Sequence, residues 1–215
     1  MNKTDGQISM PVIRRLPKYY RCLLSLEQNQ TDKVSSKTLS ELLGFTASQV
    51  RQDLNCFGGF GQQGCGYSVA LLKAKIEELL GIDKSKKVII YGVGNLGRAI
   101  MCHFDFEKYG FEVSGLFDKN PELISTFLRG IEIRDDATVV DFIKDNPVDV
   151  AFLCIPTIGA QSVVERLYSA GVRTFWNFSH FDIRANYPDC TVENVHLSES
   201  LMILSYLMSN KDTEE

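Results

Sequence analysis

With 215 residues, 44% of them hydrophobic and 23% charged, the chain has the material for a buried core and for one or two domains, and nothing in its composition suggests disorder. No apolar run approaches the ~18 residues of a membrane span. The stretch Met1 to Gly6 has no signal-peptide pattern, and the 6 cysteines are scattered without a Cys-x-x-Cys pair, so neither a disulfide framework nor a zinc site is legible and a cytoplasmic setting is expected. The net charge of −4 is unevenly shared: residues 1–70 carry eight Lys and Arg against five acids, which places any polyanionic partner on the N-terminal part.

Residues 12–27 read as a helix with Ile13, Leu16, Tyr20, Leu23 and Leu24 on one face. Pro17 is expected in its first turn or at its start, because an interior proline removes a helix hydrogen bond. Val34-Ser35-Ser36 leads into a second helix over 37–43, with Ser36 as its expected N-cap and Gly44 as its stop. Thr46-x-x-Gln49 has capping-box spacing and opens a third helix, Ala47 to about Phe57. Two short helices across a glycine-containing turn form a helix-turn-helix pattern. The glycine-rich stretch 57–69 reads as two extended segments around a turn, which makes a β-hairpin wing. On that reading Ser48, Gln49, Arg51 and Gln52 lie on a recognition helix, Arg being suited to guanine edges or phosphates and Gln to adenine. The wing, with Gly64, Gly66 and Tyr67, offers backbone N–H groups to phosphates. The blander reading of Arg51 is an ordinary solvated helix charge.

A fourth helix runs from Ser68 or Val69 to Leu80, and Gly81 ends it. The polar linker Lys84 to Lys87 divides a first domain, 1–82, from a second, 86–192, followed by a tail, 193–215. The second domain opens with the buried strand Val88-Ile89-Ile90-Tyr91 and then Gly92-x-Gly94-x-x-Gly97 leading into an apolar helix. Gly92 allows the tight turn, Gly94 lets a pyrophosphate approach the backbone, and Gly97 lets the helix lie on the strand, while Asn95 and Leu96 open the helix whose N–H groups face the phosphates. A second strand, 111–118, ends in Asp118 about 20 residues past the last glycine, where a ribose-binding carboxylate belongs. Strand, glycine turn, helix, strand and acid in that order point to NAD(H). A Rossmann-like domain with an empty site, or one for another nucleotide, is the other reading, with Asp118 merely capping a helix that begins near Pro121.

Beyond Asp118 the pattern predicts a short helix over 121–127 and a short strand over 130–133. A helix over 138–144, a fully buried strand over 148–155 ending in Pro156, a helix over 157–170 and a strand over 172–178 follow. This is a doubly wound α/β domain whose ligand crevice lies at the strands' carboxyl ends. Residues 198–208 form a helix too apolar to stand in water alone, so a homodimer is expected, the alternative being a helix folded back on its own domain.

This combination resembles the redox-sensing transcriptional repressor Rex family over about residues 10–208. The resemblance is carried by Arg15-Leu16-Pro17-Lys18-Tyr19-Tyr20-Arg21, Val34-Ser35-Ser36, Gln49-Val50-Arg51-Gln52-Asp53-Leu54, Phe57-Gly58 and Gly64-Cys65-Gly66-Tyr67. In the second domain it is carried by Gly92 to Gly97, Phe117-Asp118, Ile155-Pro156, Ala160-Gln161 and Asn177-Phe178. It implies a homodimer with a swapped C-terminal helix, repressing from a palindromic operator. NADH in the crevice closes the dimer and releases DNA, whereas NAD+ binds without doing so well. The crevice residues implied are Gly92, Gly94, Asn95, Leu96, Gly97, Asp118, Ile155 and Pro156.

The chain departs from the family pattern at several positions. Gln52, Gln62 and Gln63 stand where basic residues are usual. His103, His180 and His196 stand where the family has Tyr, Pro and Asp. That Asp alternates in the family between Arg21, retained here, and the Tyr, so Arg21, His103, His180 and His196 form the implied gate, and a weakened NADH response is expected. A dehydrogenase would need a substrate domain and an acid–base pair, and neither is legible. CoA as the effector, and a DNA-binding regulator that has lost its effector, are the remaining alternatives.

Overall fold

The computed structural model describes residues 8–58, 61–62 and 66–209, the side chains of Gly61 and Gln62 excepted. The chain divides into two compact units between Lys84 and Ser85, inside the polar linker. No helix among the described residues is long and apolar enough to cross a membrane.

In the first unit, helix α1 (Met10–Gln28) turns Val12, Leu16, Tyr19, Tyr20 and Leu23 inward at helical spacing. Strand β1 (Lys33–Val34), α2 (Ser36–Leu43), α3 (Ala47–Asn55), β2 (Gly61–Gln62), β3 (Gly66–Ser68) and α4 (Val69–Leu80) follow. Leu39 of α2, Val50 and Leu54 of α3, and Leu72 and Ile76 of α4 close one core with α1. The sheet order is β1-β3-β2, antiparallel, with Tyr67 opposite both Val34 and Gly61. Helix-turn-helix plus hairpin makes this unit a winged helix.

Two local expectations are corrected. Pro17 lies in the interior of α1 and not in its first turn. It sits on the exposed side, while Leu16, Tyr19 and Tyr20 beside it are buried, so the core holds the helix across the missing hydrogen bond. The N-cap of α2 is Ser35 and not Ser36: its Oγ accepts from the Thr38 N–H at 3.0 Å, and Ser36 is the first helical residue.

The second unit contains β4 (Lys86–Tyr91), α5 (Asn95–His103), β5 (Phe111–Asp118), β6 (Phe127–Leu128), β7 (Ile131–Asp135) and α6 (Val139–Asp145). Then come β8 (Val150–Leu153), α7 (Ala160–Ser169), β9 (Thr174–Asn177), α8 (Ile183–Asn186), β10 (Thr191–Asn194) and α9 (Leu197–Ser209). One sheet runs β10-β9-β8-β4-β5-β7-β6, every pair parallel except β6 with β7. Strand alternation sends Val88, Ile90, Leu116 and Phe152 to the face under α5, and Ile89, Tyr91, Phe117 and Leu153 to the face packed by Val163, Val164 and Leu167 of α7. The result is a doubly wound α/β domain.

Residues 121–127 are not a helix. Successive turns lead from Pro121 into β6, which pairs with β7 across Arg129 and Gly130. Both turn residues have positive φ, 49° and 81°, the conformation a two-residue hairpin needs. The folded-back alternative for the last helix does not hold either: no residue of α9 is buried, with Leu201 67%, Ile203 61% and Leu207 55% exposed.

Pro17→Ala restores an N–H donor in α1 and removes a ring clash worth about 3 kcal/mol, against about 1 kcal/mol of lost restriction on the unfolded chain. The first unit is therefore expected to unfold about 2 kcal/mol later in a denaturant titration, with an unchanged slope.

Candidate nucleotide and nucleic-acid sites

The chain runs from β4 outward to β5 and β7, then crosses to β8 on the other side of β4. The β4/β8 gap is thus the topological switch point, and its carboxyl ends border the crevice. Gly92, at φ +93°, makes the turn out of β4, and its N–H donates to Phe117 O at 2.8 Å. A methyl group on Gly92 would meet Cys154 O at 2.6 Å, and one on Gly97 would meet Gly92 O at 1.9 Å. Only glycine lets α5 settle onto the turn. At Gly94 nothing lies within 4 Å of the corresponding position, and Gly94 caps α5 without a side-chain hydrogen bond. An open approach to uncapped first-turn N–H groups fits a phosphate.

Asp118 is half-buried beside this turn. Its Oδ2 accepts the Val93 N–H at 2.6 Å and its Oδ1 accepts the Asn120 N–H at 2.8 Å. The carboxylate is thereby fastened to the glycine turn and keeps lone pairs for further donors. It caps no helix near Pro121, because none forms there. Ile155 is half-buried against Gly92, and Pro156 is exposed. Leu96 is exposed on the first turn of α5.

Two features were not legible in the sequence. Ile158, 93% exposed, stands in the loop that follows Pro156 and leads into α7; its one sequence signal is an apolar residue set between Thr157 and Gly159 after a buried strand. Beneath the turn, the Tyr91 hydroxyl donates to Asp136 Oδ2 at 2.7 Å, and Arg166 donates to Tyr91 Oη, to Asp136 Oδ2 and to Asp136 O. Burial pushes the Tyr91 phenol well above its ordinary range. Burial also pushes the Asp136 carboxyl up, but hydrogen bonds from Tyr91 and Arg166 outweigh it and hold the group below its ordinary value. No spacing rule links residues 91, 136 and 166. Burial pushes the Cys154 thiol up to about 12, so it packs as a neutral group.

In the first unit, Ser48, Arg51 and Gln52 are exposed on α3. Arg51 donates to Ser36 Oγ at 3.4 Å, a long contact that leaves the guanidinium fork largely free. Gln49 is different. Its N–H donates to Thr46 Oγ1 at 3.1 Å, as the capping box requires, but its side-chain amide turns back to Asp53 Oδ1 at 2.8 Å. It is committed inward and does not stand on the outer face with its three neighbours. Tyr67 likewise lies in the central strand of the small sheet, half-buried against the core. Gly66, at φ +73°, approaches Val34 O closely. Gly64 and Gln63 lie outside the described residues.

Asp53, 1% exposed, organises the recognition helix. Arg15 of α1 donates to both carboxylate oxygens at 2.7 Å, and Tyr19 donates to Oδ2 at 3.0 Å. Burial pushes this carboxyl up, but hydrogen bonds from Arg15, Gln49 and Tyr19 overcome it and hold the group below its usual range. The sequence placed Asp53 inside a family motif without revealing its partners.

The implied gate is arranged differently from the expected His196–His103 pairing. His180 and His196 meet directly, Nδ1 to Nδ1 at 2.6 Å, beyond the carboxyl ends of β9 and β10. His103 ends α5, about 12 Å along the helix axis from Asn95, because α5 runs back toward the amino ends of the strands. Among the described residues no hydrogen bond or ring contact joins it to His196 within one chain, and the neighbouring Phe104 ring packs on Trp176 of β9. Arg21 is exposed on α1. Among the described residues no group of three or more His, Cys, Asp or Glu is placed to hold a metal ion.

Residues 7–55 match the family described as putative DNA-binding protein N-terminus, and residues 83–181 match the CoA binding domain family. The chain is 51% identical over 204 residues to the redox-sensing transcriptional repressor Rex of Clostridioides difficile (strain 630), covering 95% of this chain and 97% of that one. It is 50% identical over 205 residues to the Rex repressor of Clostridium tetani (strain Massachusetts / E88), with coverages of 95% and 97%. This chain belongs to the Rex family. Among solved structures it is similar to RSP in complex with beta-NAD+ and operator DNA, with a TM-score of 0.89, 48% identity, and coverage of 97% of this chain and 95% of that one. It is also similar to RSP in complex with beta-NADH, with a TM-score of 0.88, 45% identity and 97% of each chain covered.

Asp53→Asn in this Rex-family chain leaves Arg15 without its anionic partner. Because Arg15 stays a quarter exposed, the expected loss is about 2–3 kcal/mol, below that of a fully buried pair. The native carboxyl sits below its unfolded value, so its contribution is complete above about pH 4 and disappears as pH falls through the native value. Circular dichroism melts between pH 2 and 6 check this: the wild type loses stability over that window, and Asp53→Asn starts lower and changes less.

Proposed function

We propose that this chain is a DNA-binding transcriptional repressor that reads the NADH/NAD+ ratio, acting in the cytoplasm as a homodimer on a palindromic operator. The observation that carries this reading is the pairing, on one chain, of two built features. One is a winged helix whose α3 presents Ser48, Arg51 and Gln52. The other is a glycine turn at the sheet's switch point with Asp118 fastened to it. The similar protein RSP, solved with beta-NAD+ and operator DNA and separately with beta-NADH, supports both halves. The exposed apolar α9 supports the dimer, since a helix of this composition is covered by another chain.

When bound, the dinucleotide supplies the redox signal; the protein's residues convert it. First-turn N–H groups of α5 hold the pyrophosphate, with Gly94 leaving room. Asp118 accepts the ribose hydroxyls and repels a 2′-phosphate, which selects NAD(H) over NADP(H). Ile155, Pro156, Leu96 and Ile158 supply apolar contacts. On this reading binding and release take the place of turnover.

The NADH response is weaker than the family pattern implies. His196 brings no carboxylate to Arg21 and is already bonded to His180. A ligand shifts an equilibrium only by its differential affinity for the two states. Saturating NADH is expected to weaken operator binding by less than about 10-fold, or about 1.4 kcal/mol of coupling.

CoA is the second ligand to consider, because residues 83–181 match a family described as a CoA binding domain. The Asp118 carboxylate disfavours an additional phosphate on the adenosine ribose. Isothermal titration with NADH, NAD+ and CoA decides between them. NADH binding that weakens in Asp118→Ala, with a narrower gap to NADPH, supports the assignment; CoA binding alone overturns it. On the DNA side, Arg51→Ala is expected to cost about 1–3 kcal/mol of operator affinity and to relax specificity at one base of each half-site. Unchanged anisotropy titrations across operator variants would remove α3 from the interface.

A further inference from the structure

The contact between His180 and His196 has a geometry that limits its proton count. The ring planes lie within 18° of each other, and the centroids are 4.8 Å apart while the two Nδ1 atoms are 2.6 Å apart. The centroids exceed the nitrogen separation by about two ring radii, so the imidazoles meet edge to edge, nearly in one plane, with their Nδ1 atoms head-on. That arrangement holds one proton between the rings, one Nδ1 donating and the other accepting. A neutral pair satisfies it. A singly protonated pair satisfies it better, because the bond becomes charge-assisted. Two imidazolium rings do not, because two N–H groups then point at each other.

The pair is built into the carboxyl edge of the sheet. His180 takes a left-handed backbone, φ +60°, within a loop held by Asn177. The Asn177 Oδ1 accepts from the Ser179 N–H and hydroxyl, and its Nδ2 donates to Phe181 O and Asn194 Oδ1. Asn194 ends β10, two residues before His196, so one buried amide fixes both sides of the contact. Thr157 donates to Ser179 O, which joins the same loop to the segment after Ile155 and Pro156. His196 immediately precedes α9. The charged groups on the flanking segments are Asp182 and Arg184 at α8, Glu193 on β10 and Glu199 in the first turn of α9. Asp182 is committed to the Ala185 N–H, and among the described residues none of the four bonds to either ring.

We infer that His180 and His196 form a proton-operated latch that ties the start of α9 to the crevice loop, closed with no or one added proton and opened by the second. Its regulatory meaning rests on the proposed reading of NADH and operator DNA; the latch itself does not. In acid, α9 is freed at its first turn, and the coupling between crevice and operator changes with pH.

Imidazole 15N NMR of the full chain, in the presence of EDTA, tests the latch directly. In the wild type the curves of His180 and His196 are expected to depend on each other, because one proton is shared between the rings. In His196→Ala, and in His180→Asn, whose side chain tolerates the left-handed backbone, the curve of the remaining histidine is expected to differ from its wild-type curve. Identical titrations in wild type and variants would overturn the latch. Amide hydrogen exchange over residues 197–200, corrected for intrinsic rates, should quicken at least 3-fold between pH 7.5 and 5.5 in the wild type only. Equal exchange in the variants would also overturn it. Operator anisotropy then reads the regulatory step: a roughly 3-fold change in the NADH effect between pH 8 and 6, absent in His180→Asn, is expected. No operator or NADH binding at any pH would defeat the functional reading while leaving the NMR result to decide the latch.

Discussion

The second unit depends on the absence of a single methyl group at Gly97. With Gly92 O where the first side-chain carbon would stand, α5 lies directly on the turn that leaves β4. That seating aims the first-turn N–H groups across the switch point and keeps Gly94 open. It also places the Val93 N–H within reach of Asp118. A helix displaced by a larger residue would break all of these relations together, since they share one backbone segment. The buried residues 88–91 of β4 and the buried strand β8 make the constraint firm. Ile89, Ile90, Ala151 and Leu153 leave the sheet no slack with which to retreat.

The first unit has a comparable centre of a different kind. Asp53 is a buried charge, costly unless it is fully partnered, and its partners come from α1 and from its own helix. Arg15, Tyr19 and Gln49 therefore do two things at once: they satisfy the carboxylate and they fix the rotation of α3 about its axis. Ser48, Arg51 and Gln52 face outward because Val50, Asp53 and Leu54 are held inward. Side-chain precision on the outer face is derived from a polar contact on the inner one.

What could be read from the sequence was whatever depends on local period and on glycine. The Gly92-x-Gly94-x-x-Gly97 turn, the capping residue Thr46, the stops at Gly44 and Gly81, and the apolar character of α9 all follow from neighbouring residues. What could not be read depends on partners distant in the chain. Pro17 looked like a helix boundary because its cost is local and the compensation from Leu16, Tyr19 and Tyr20 is tertiary. Gln49 looked like a base reader until Asp53 claimed its amide. The segment 121–127 had helical composition, but β7 offered Phe127 and Leu128 a strand partner. The three histidines were legible as departures from a family pattern. Only the fold brings His180 to His196.

The bare face of α9 has a consequence for how the protein behaves in bulk. Leu201, Met202, Ile203, Leu204 and Leu207 find no cover within their own chain, so on the proposed dimer mass action becomes part of the molecule's thermodynamics. On the proposed dimer, covering α9 is a bimolecular event, and the free energy of that association grows with the logarithm of the chain's own concentration. On that reading, dilution uncovers the helix while leaving the cores of both units intact. Newly made chains, scarce at first, pass through the interval in which that greasy surface is most open to unintended company.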